Sequence, residues 1–247
     1  MGLCVMAALA AFALSAMAAS SASAATYKVC AAQKKGEYTT STCATKSSKP
    51  KKGKYEKASK LGYTTATGEA KLETPSLGGT VKCSASKGAG QITGGKTATL
   101  QVKFTGCETK GVPCESGATL GTIETFPLET TLVGHGEKGL GGKEPLAGEV
   151  WTDIKGEAAY GGDQAIFGCE GIGYFRSTGT LAGVNGGVNK LSFTGTTNFE
   201  NGIGEQDLET AVSSSPSFPA GETLGPFAST EVTKSTNTFE KEVDVTS

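Results

Sequence analysis

The chain has 247 residues, with 23 Lys and Arg against 24 Asp and Glu, one histidine and one tryptophan. A net charge of −1 excludes a bulk polycation, and Arg176 as the sole arginine removes the guanidinium forks that read phosphates and base edges. Nucleic acid is therefore not an expected partner.

The first element is an apolar run, rich in Ala, Leu and Met, from Leu3 to Ala19. It ends in small residues, and Ala22-Ser23-Ala24 has the small-x-small pattern that signal peptidases cut. Residues 1–24 are thus expected to be a signal peptide, cleaved after Ala24. Met1-Gly2 carries no Lys or Arg ahead of the apolar core, which places the expected translation start upstream. The run is short for a membrane span and no second one follows. The mature protein is expected to be secreted, extracellular or cell-surface associated, with no stable membrane insertion after cleavage.

Cys4 leaves with the signal, and Cys30, Cys43, Cys83, Cys107, Cys114 and Cys169 remain. An even number in an exported chain reads as a disulfide framework. Six cysteines allow 15 pairings. Sequence proximity favours Cys30–Cys43 and Cys107–Cys114, which leaves Cys83–Cys169. There is no Cys-x-x-Cys and only one histidine, so no metal site is expected. The apolar core is thin: 40 Leu, Ile, Val and Phe residues follow Ala24, about 18% of that part. That composition borders on disorder, and crosslinks supply what burial lacks.

Residues 25–60 form a basic extension containing Cys30 and Cys43. Ten Lys face two Glu there, a balance of +8, whereas the remainder carries 13 basic and 22 acidic residues, a balance of −9. The extension reads either as a two-stranded element tied by Cys30–Cys43 or as a flexible basic linker. Lys46, Lys49, Lys51, Lys52, Lys54, Lys57 and Lys60 interleave with Tyr55, and Tyr38 and Tyr63 flank them. Such a patch attracts polyanions, and salt weakens the attraction. The expected partner is an anionic cell-wall or extracellular polymer.

Residues 61–247 are expected to be all-β: an antiparallel β-sandwich, or a barrel-like variant, with the N-terminal part as a small disulfide-tied extension. No segment sustains helical apolar spacing. Alternation predicts strands over 80–84, 98–104, 121–128, 150–154, 164–169, 190–194 and parts of 230–245. Turns are expected at Gly94-Gly95, Gly141-Gly142, Gly161-Gly162, Asn185-Gly186-Gly187 and Asn201-Gly202. Ser213 to Gly221, with its prolines, is expected to be a surface loop.

Tyr27-Lys28-Val29-Cys30, Cys43, Gly53-Lys54-Tyr55-Glu56, Phe104-Thr105-Gly106-Cys107-Glu108 and Cys114-Glu115-Ser116-Gly117-Ala118 occur in that order. In this the chain resembles a family of uncharacterised secreted proteins present in many copies in some soil actinobacteria. The resemblance implies export and disulfides and assigns no chemistry.

The motif matches fail on context. Gly90 to Thr97 spells a phosphate loop, but Ala98 to Phe104 alternates as a strand where a helix is required. Gly134-His135-Gly136-Glu137-Lys138-Gly139 has dinucleotide-fingerprint spacing, but Leu140 to Pro145 cannot open a helix, so it reads as a mobile loop. Ser84-Ala85-Ser86-Lys87 lacks the companion motifs of serine acyltransferases. His135, between two glycines, is poorly supported as a catalytic base. Trp151 is assigned to packing. No catalytic residue, cofactor or metal is therefore assigned. The leading expectation is a non-enzymatic secreted protein. The alternative is an extracellular hydrolase with a carboxylate-based site that sequence does not reveal, which a cavity holding two strongly shifted carboxylates would favour. A further alternative is an inert envelope component.

Overall fold

The computed structural model describes residues 24–58, 60–199 and 206–247. The apolar run of the expected signal peptide and the Asn201-Gly202 turn lie outside the described residues.

The strands run β1 (Thr26–Gly36), β2 (Gly53–Lys57), β3 (Leu61–Thr67), β4 (Ala70–Thr74), β5 (Gly79–Cys83), β6 (Ala85–Ile92), β7 (Thr97–Thr105), β8 (Glu108–Thr109), β9 (Val112–Glu115) and β10 (Thr122–Glu124). They continue as β11 (Leu128–Gly134), β12 (Val150–Gly156), β13 (Asp163–Cys169), β14 (Gly173–Thr178), β15 (Thr180–Gly186), β16 (Ser192–Phe199), β17 (Glu209–Ser213), β18 (Thr223–Ala228) and β19 (Thr230–Thr246). All pairings between them are antiparallel.

Of the two all-β arrangements expected, the barrel holds. Going round, β3, β6, β7, β11, β12, β15, β16 and β19 pair in turn, and β19 closes back on β3. Closure removes the edges that an open sheet would expose. A second tier continues from one end: β4, β5, β8, β9, β13, β14, β17 and β18 pair in that order, and the start of β19 pairs with β4. The tiers share chain segments, because β5 runs into β6, β14 into β15 and β18 into β19 across the single residues Ser84, Gly179 and Ser229. Gly179 turns at φ +96, and a Cβ there would fall 2.3 Å from the Asp207 carbonyl oxygen, so this bend requires glycine.

Alternation sorts the side chains. Leu100, Val102, Leu128, Ile154, Leu181, Phe199 and Leu208 form one buried cluster, joined by Val29, Leu61, Ile92, Ala98, Phe239 and Val243 in a second. The other tier is filled by Val81, Ile123, Ala165 and Phe167 with four cysteines. Each fully buried side chain of this size contributes about 1.5–3 kcal/mol.

Those four cysteines correct the expected pairing. Cys30–Cys43 forms as expected, but the other bridges are Cys83–Cys107 and Cys114–Cys169, not Cys107–Cys114 and Cys83–Cys169. Cys107 and Cys114 are indeed neighbours, since the Cys114 N–H donates to the Cys107 carbonyl at 3.0 Å. Register decides the partner: Cys114 on β9 lies directly opposite Cys169 on β13, with Cα atoms 4.2 Å apart. Sequence separation carries no record of that cross-strand register. Intramolecular disulfides form and persist in oxidising compartments outside the cytoplasm.

Residues 25–60 straddle two environments. Thr26 to Val29 pair with the last turn of the barrel wall, Thr246 to Val243 on β19, and Val29 is buried. From Cys30 onward β1 leaves the barrel and pairs with β2 as a two-stranded hairpin.

Candidate functional site

Two places on this scaffold carry chemistry: the basic hairpin and the barrel lumen. In the hairpin, the Cys30–Cys43 bridge ties the connecting segment back onto β1. Tyr38 is the hub. It is buried, forms isolated bridges to both Lys46 and Tyr55, and its carbonyl accepts from Lys54 and Tyr55. Gly53 permits this closeness, because a Cβ there would lie 2.3 Å from the Tyr38 carbonyl oxygen. The Nζ atoms of Lys46 and Lys57 sit 5.9 and 5.7 Å from the Tyr38 ring centroid, in cation–π range.

All seven candidate lysines, Lys46, Lys49, Lys51, Lys52, Lys54, Lys57 and Lys60, are exposed. Lys46 is 3.6 Å from the Glu37 carboxylate, with both side chains largely solvated, an ion pair worth little. No described carboxylate lies within ion-pair distance of the other six. Lys60 stands beyond β2, next to the undescribed residue 59.

The lumen holds a partly open cavity of about 150 Å³ lined from both tiers. One end is polar and closed upon itself. The Asn185 carbonyl oxygen accepts from the Thr152 hydroxyl at 3.1 Å and the Thr197 hydroxyl at 3.0 Å, and the Asn237 amide donates to Thr197 at 3.1 Å. Tyr27 meets Thr130 and Thr152, and burial pushes its hydroxyl up to about 12. Tyr63 donates to the Thr99 carbonyl at 3.1 Å, and burial raises it too. The expected Asn185-Gly186-Gly187 turn is corrected here: Asn185 and Gly186 continue β15, and the amide is spent on the internal network.

Glu231 is the exception to that saturation. On β19 the residues Glu231, Thr233, Ser235, Asn237 and Phe239 alternate into the lumen. The Glu231 backbone is held by Gln206, which donates to its carbonyl at 2.8 Å and accepts from its N–H at 2.6 Å. Its carboxylate has no hydrogen-bond or ion-pair partner among the described residues. By area it is partly covered and it lines the cavity; loss of water pushes it up to about 7. Sequence reasoning passed over Glu231 as one of 24 carboxylates without an obvious pair. Its signal was parity: Phe239 fixes the inward face of β19, and 231 shares its odd register.

The rejected motifs sit as context required. Gly90 to Thr97 is the β6–β7 hairpin, with the Thr93 N–H on the Thr97 carbonyl at 2.9 Å. Ser84 precedes β6 and Lys87 lies on it, so no helical turn brings the two together. The expected mobile loop after Gly134 is instead pinned: Glu137 accepts from the Gly134 N–H at 2.9 Å and pairs with Lys96. His135 Nδ1 lies 3.0 Å from the Pro145 carbonyl. Trp151 packs with Val133 and Ala182 on the outer face of β12, against Leu140. Among the described residues no group of three or more His, Cys, Asp or Glu converges as a metal site. Comparison with protein-family models, with curated proteins and with solved structures found no match to this chain.

Proposed function

We propose that the protein is exported, loses residues 1–24, and serves without catalysis as a binding protein for anionic cell-wall or extracellular polymers, using the basic hairpin as its contact surface. The observation that carries this reading is the presentation of seven exposed lysines, six on one disulfide-tied hairpin and Lys60 just beyond it, with six of the seven lacking an ion-pair partner among the described residues. The charge is segregated as well: +8 over residues 25–60 against −9 elsewhere. A flexible polyanion can therefore lie along the hairpin and avoid the acidic barrel. The three disulfides are in keeping with an extracellular destination. The hydrolase alternative calls for two strongly shifted carboxylates in one cavity; the lumen has only Glu231 among its described lining residues, and in the surface pocket that Glu69 shares with Glu108 the Glu69 carboxylate is solvated and paired with Lys71.

The reading is tested on purified cell walls and on beads bearing poly(glycerol phosphate). Net charge of −1 gives no reason for retention near neutral pH, so retention reports the local patch. Binding at low salt should be lost toward 1 M, where the screening length falls to about 3 Å. Replacing the seven lysines with glutamine should abolish it. Retention that survives the seven replacements would refute these lysines as the contact.

A further inference from the structure

The described polar groups at the closed end of the lumen are satisfied by one another, whereas the Glu231 carboxylate is aimed into the cavity and satisfied by none of them. Burying an acid without a partner is costly, so a chain that keeps one in its interior gains if a ligand completes it. The surroundings define that ligand. Leu72 on β4 stands directly opposite Glu231, and it packs against the apolar clusters of both tiers, as does Phe104. The carboxylate thus sits at the waist between two greasy compartments. Capture of a metal ion would require several converging ligands, and the described residues offer no such group. A cavity of about 150 Å³ is of the size that admits a benzene-sized molecule.

We propose that the lumen is a binding site for a small organic ammonium ion, whose charged head pairs with Glu231 and whose apolar body lies against Leu72 and Phe104. The ammonium supplies the charge and the hydrogen-bond donors that the carboxylate lacks, and the apolar walls select an organic cation over an inorganic one. Other titratable groups around the site do not compete. Lys71 on β4 is among the lining residues, but its ammonium is held by Glu69 at 2.8 Å, and Tyr27 and Tyr63 are kept neutral by burial. Glu73 on β4 pairs in register with Thr230, one residue from Glu231.

The test uses benzylamine as the probe and benzyl alcohol as its neutral counterpart, with calorimetry and backbone amide NMR on the whole mature protein. Benzylamine is expected to bind at millimolar concentration or below near pH 8 and to shift amides of β4 and β19 around Leu72 and Glu231. Benzylamine keeps its proton over this range, so affinity tracks the ionised fraction of Glu231 and should weaken roughly thirtyfold between about pH 8 and about pH 5.5. The isosteric variant Glu231→Gln, checked for a native NMR spectrum, should lose benzylamine binding, and any weak binding of benzyl alcohol should be independent of pH. Absence of benzylamine binding to the wild type overturns the proposal. So does equal binding to the Gln variant, or a shift pattern confined to the exterior.

Discussion

Glu231 and Asp153 both hold protons more tightly in the folded chain than in the unfolded one. Burial pushes Glu231 from an ordinary value of 4.5 up to about 7. It pushes Asp153 from 3.8 up to about 6, reinforced by the nearby Asp207 charge and opposed by a hydrogen bond from the Leu140 backbone. Between the ordinary and the raised value the folded state binds more protons, so stability falls as pH rises through that window. The contribution of the two groups is greatest below about pH 4 and is lost by about pH 7. Denaturant titrations of Glu231→Gln should therefore show a gain over wild type that grows from about pH 4.5 to about pH 7, and those of Asp153→Asn a gain growing from about pH 4 to about pH 6. A wild-type pH slope retained in Glu231→Gln would contradict the buried placement of that carboxyl. Neither residue was legible by composition, since each is one acid among many: parity with Phe239 marks Glu231 as inward, whereas Asp153 shares the outer face of β12 with Trp151 and is buried by the Gly139–Leu140 segment, which strand parity does not reveal.

At the scale of elements, the legible strands were those whose inward face is marked by large apolar residues. Leu100, Val102 and Phe104 marked β7, and the observed strand extends the expected 98–104 by one residue at each end. The neighbouring β6 was illegible because Gly88 and Gly90 occupy its lumen side. Their missing side chains are replaced by Thr65 and by the Tyr63 ring, which a Cβ would meet at 2.8 and 2.6 Å. Before Phe199 the inward marks of β16 are likewise Gly195 and Thr197, and its observed span, Ser192–Phe199, starts later and runs further than the expected 190–194. The hairpin of β1 and β2 depends on a single covalent tie. Removing it with Cys30→Ser and Cys43→Ser takes away a loop constraint worth roughly 3 kcal/mol in the chain-entropy model. Hydrogen exchange should then accelerate in residues 37–52 while the strands of the barrel keep their protection, and the polyanion column should release the variant at lower salt. Unchanged exchange in that segment would show that Tyr38 and its backbone bonds hold the hairpin without the disulfide.

For the whole molecule, alternation and glycine-rich turns announced an all-β chain, and the barrel-like option was open from the start. Closure itself was invisible, because it depends on β19 pairing with β3 across more than half the chain. The same long-range register hid two of the three disulfides. The loop closed by Cys114–Cys169 spans 55 residues and is worth about 4 kcal/mol on the same entropy argument, substantial for a chain with so few large apolar residues. Crosslinks thus stand in for core in a barrel that leaves part of its lumen open.

The most direct test of this account is the mass of the exported protein, intact and after non-reducing digestion, with alkylation of any free thiol. A chain beginning at Ala25, taking up no alkylating agent and yielding peptides joined as Cys30–Cys43, Cys83–Cys107 and Cys114–Cys169, is the predicted result. Free thiols would contradict the oxidising compartment, and peptides joined through Cys107–Cys114 would contradict the register of β9 against β13.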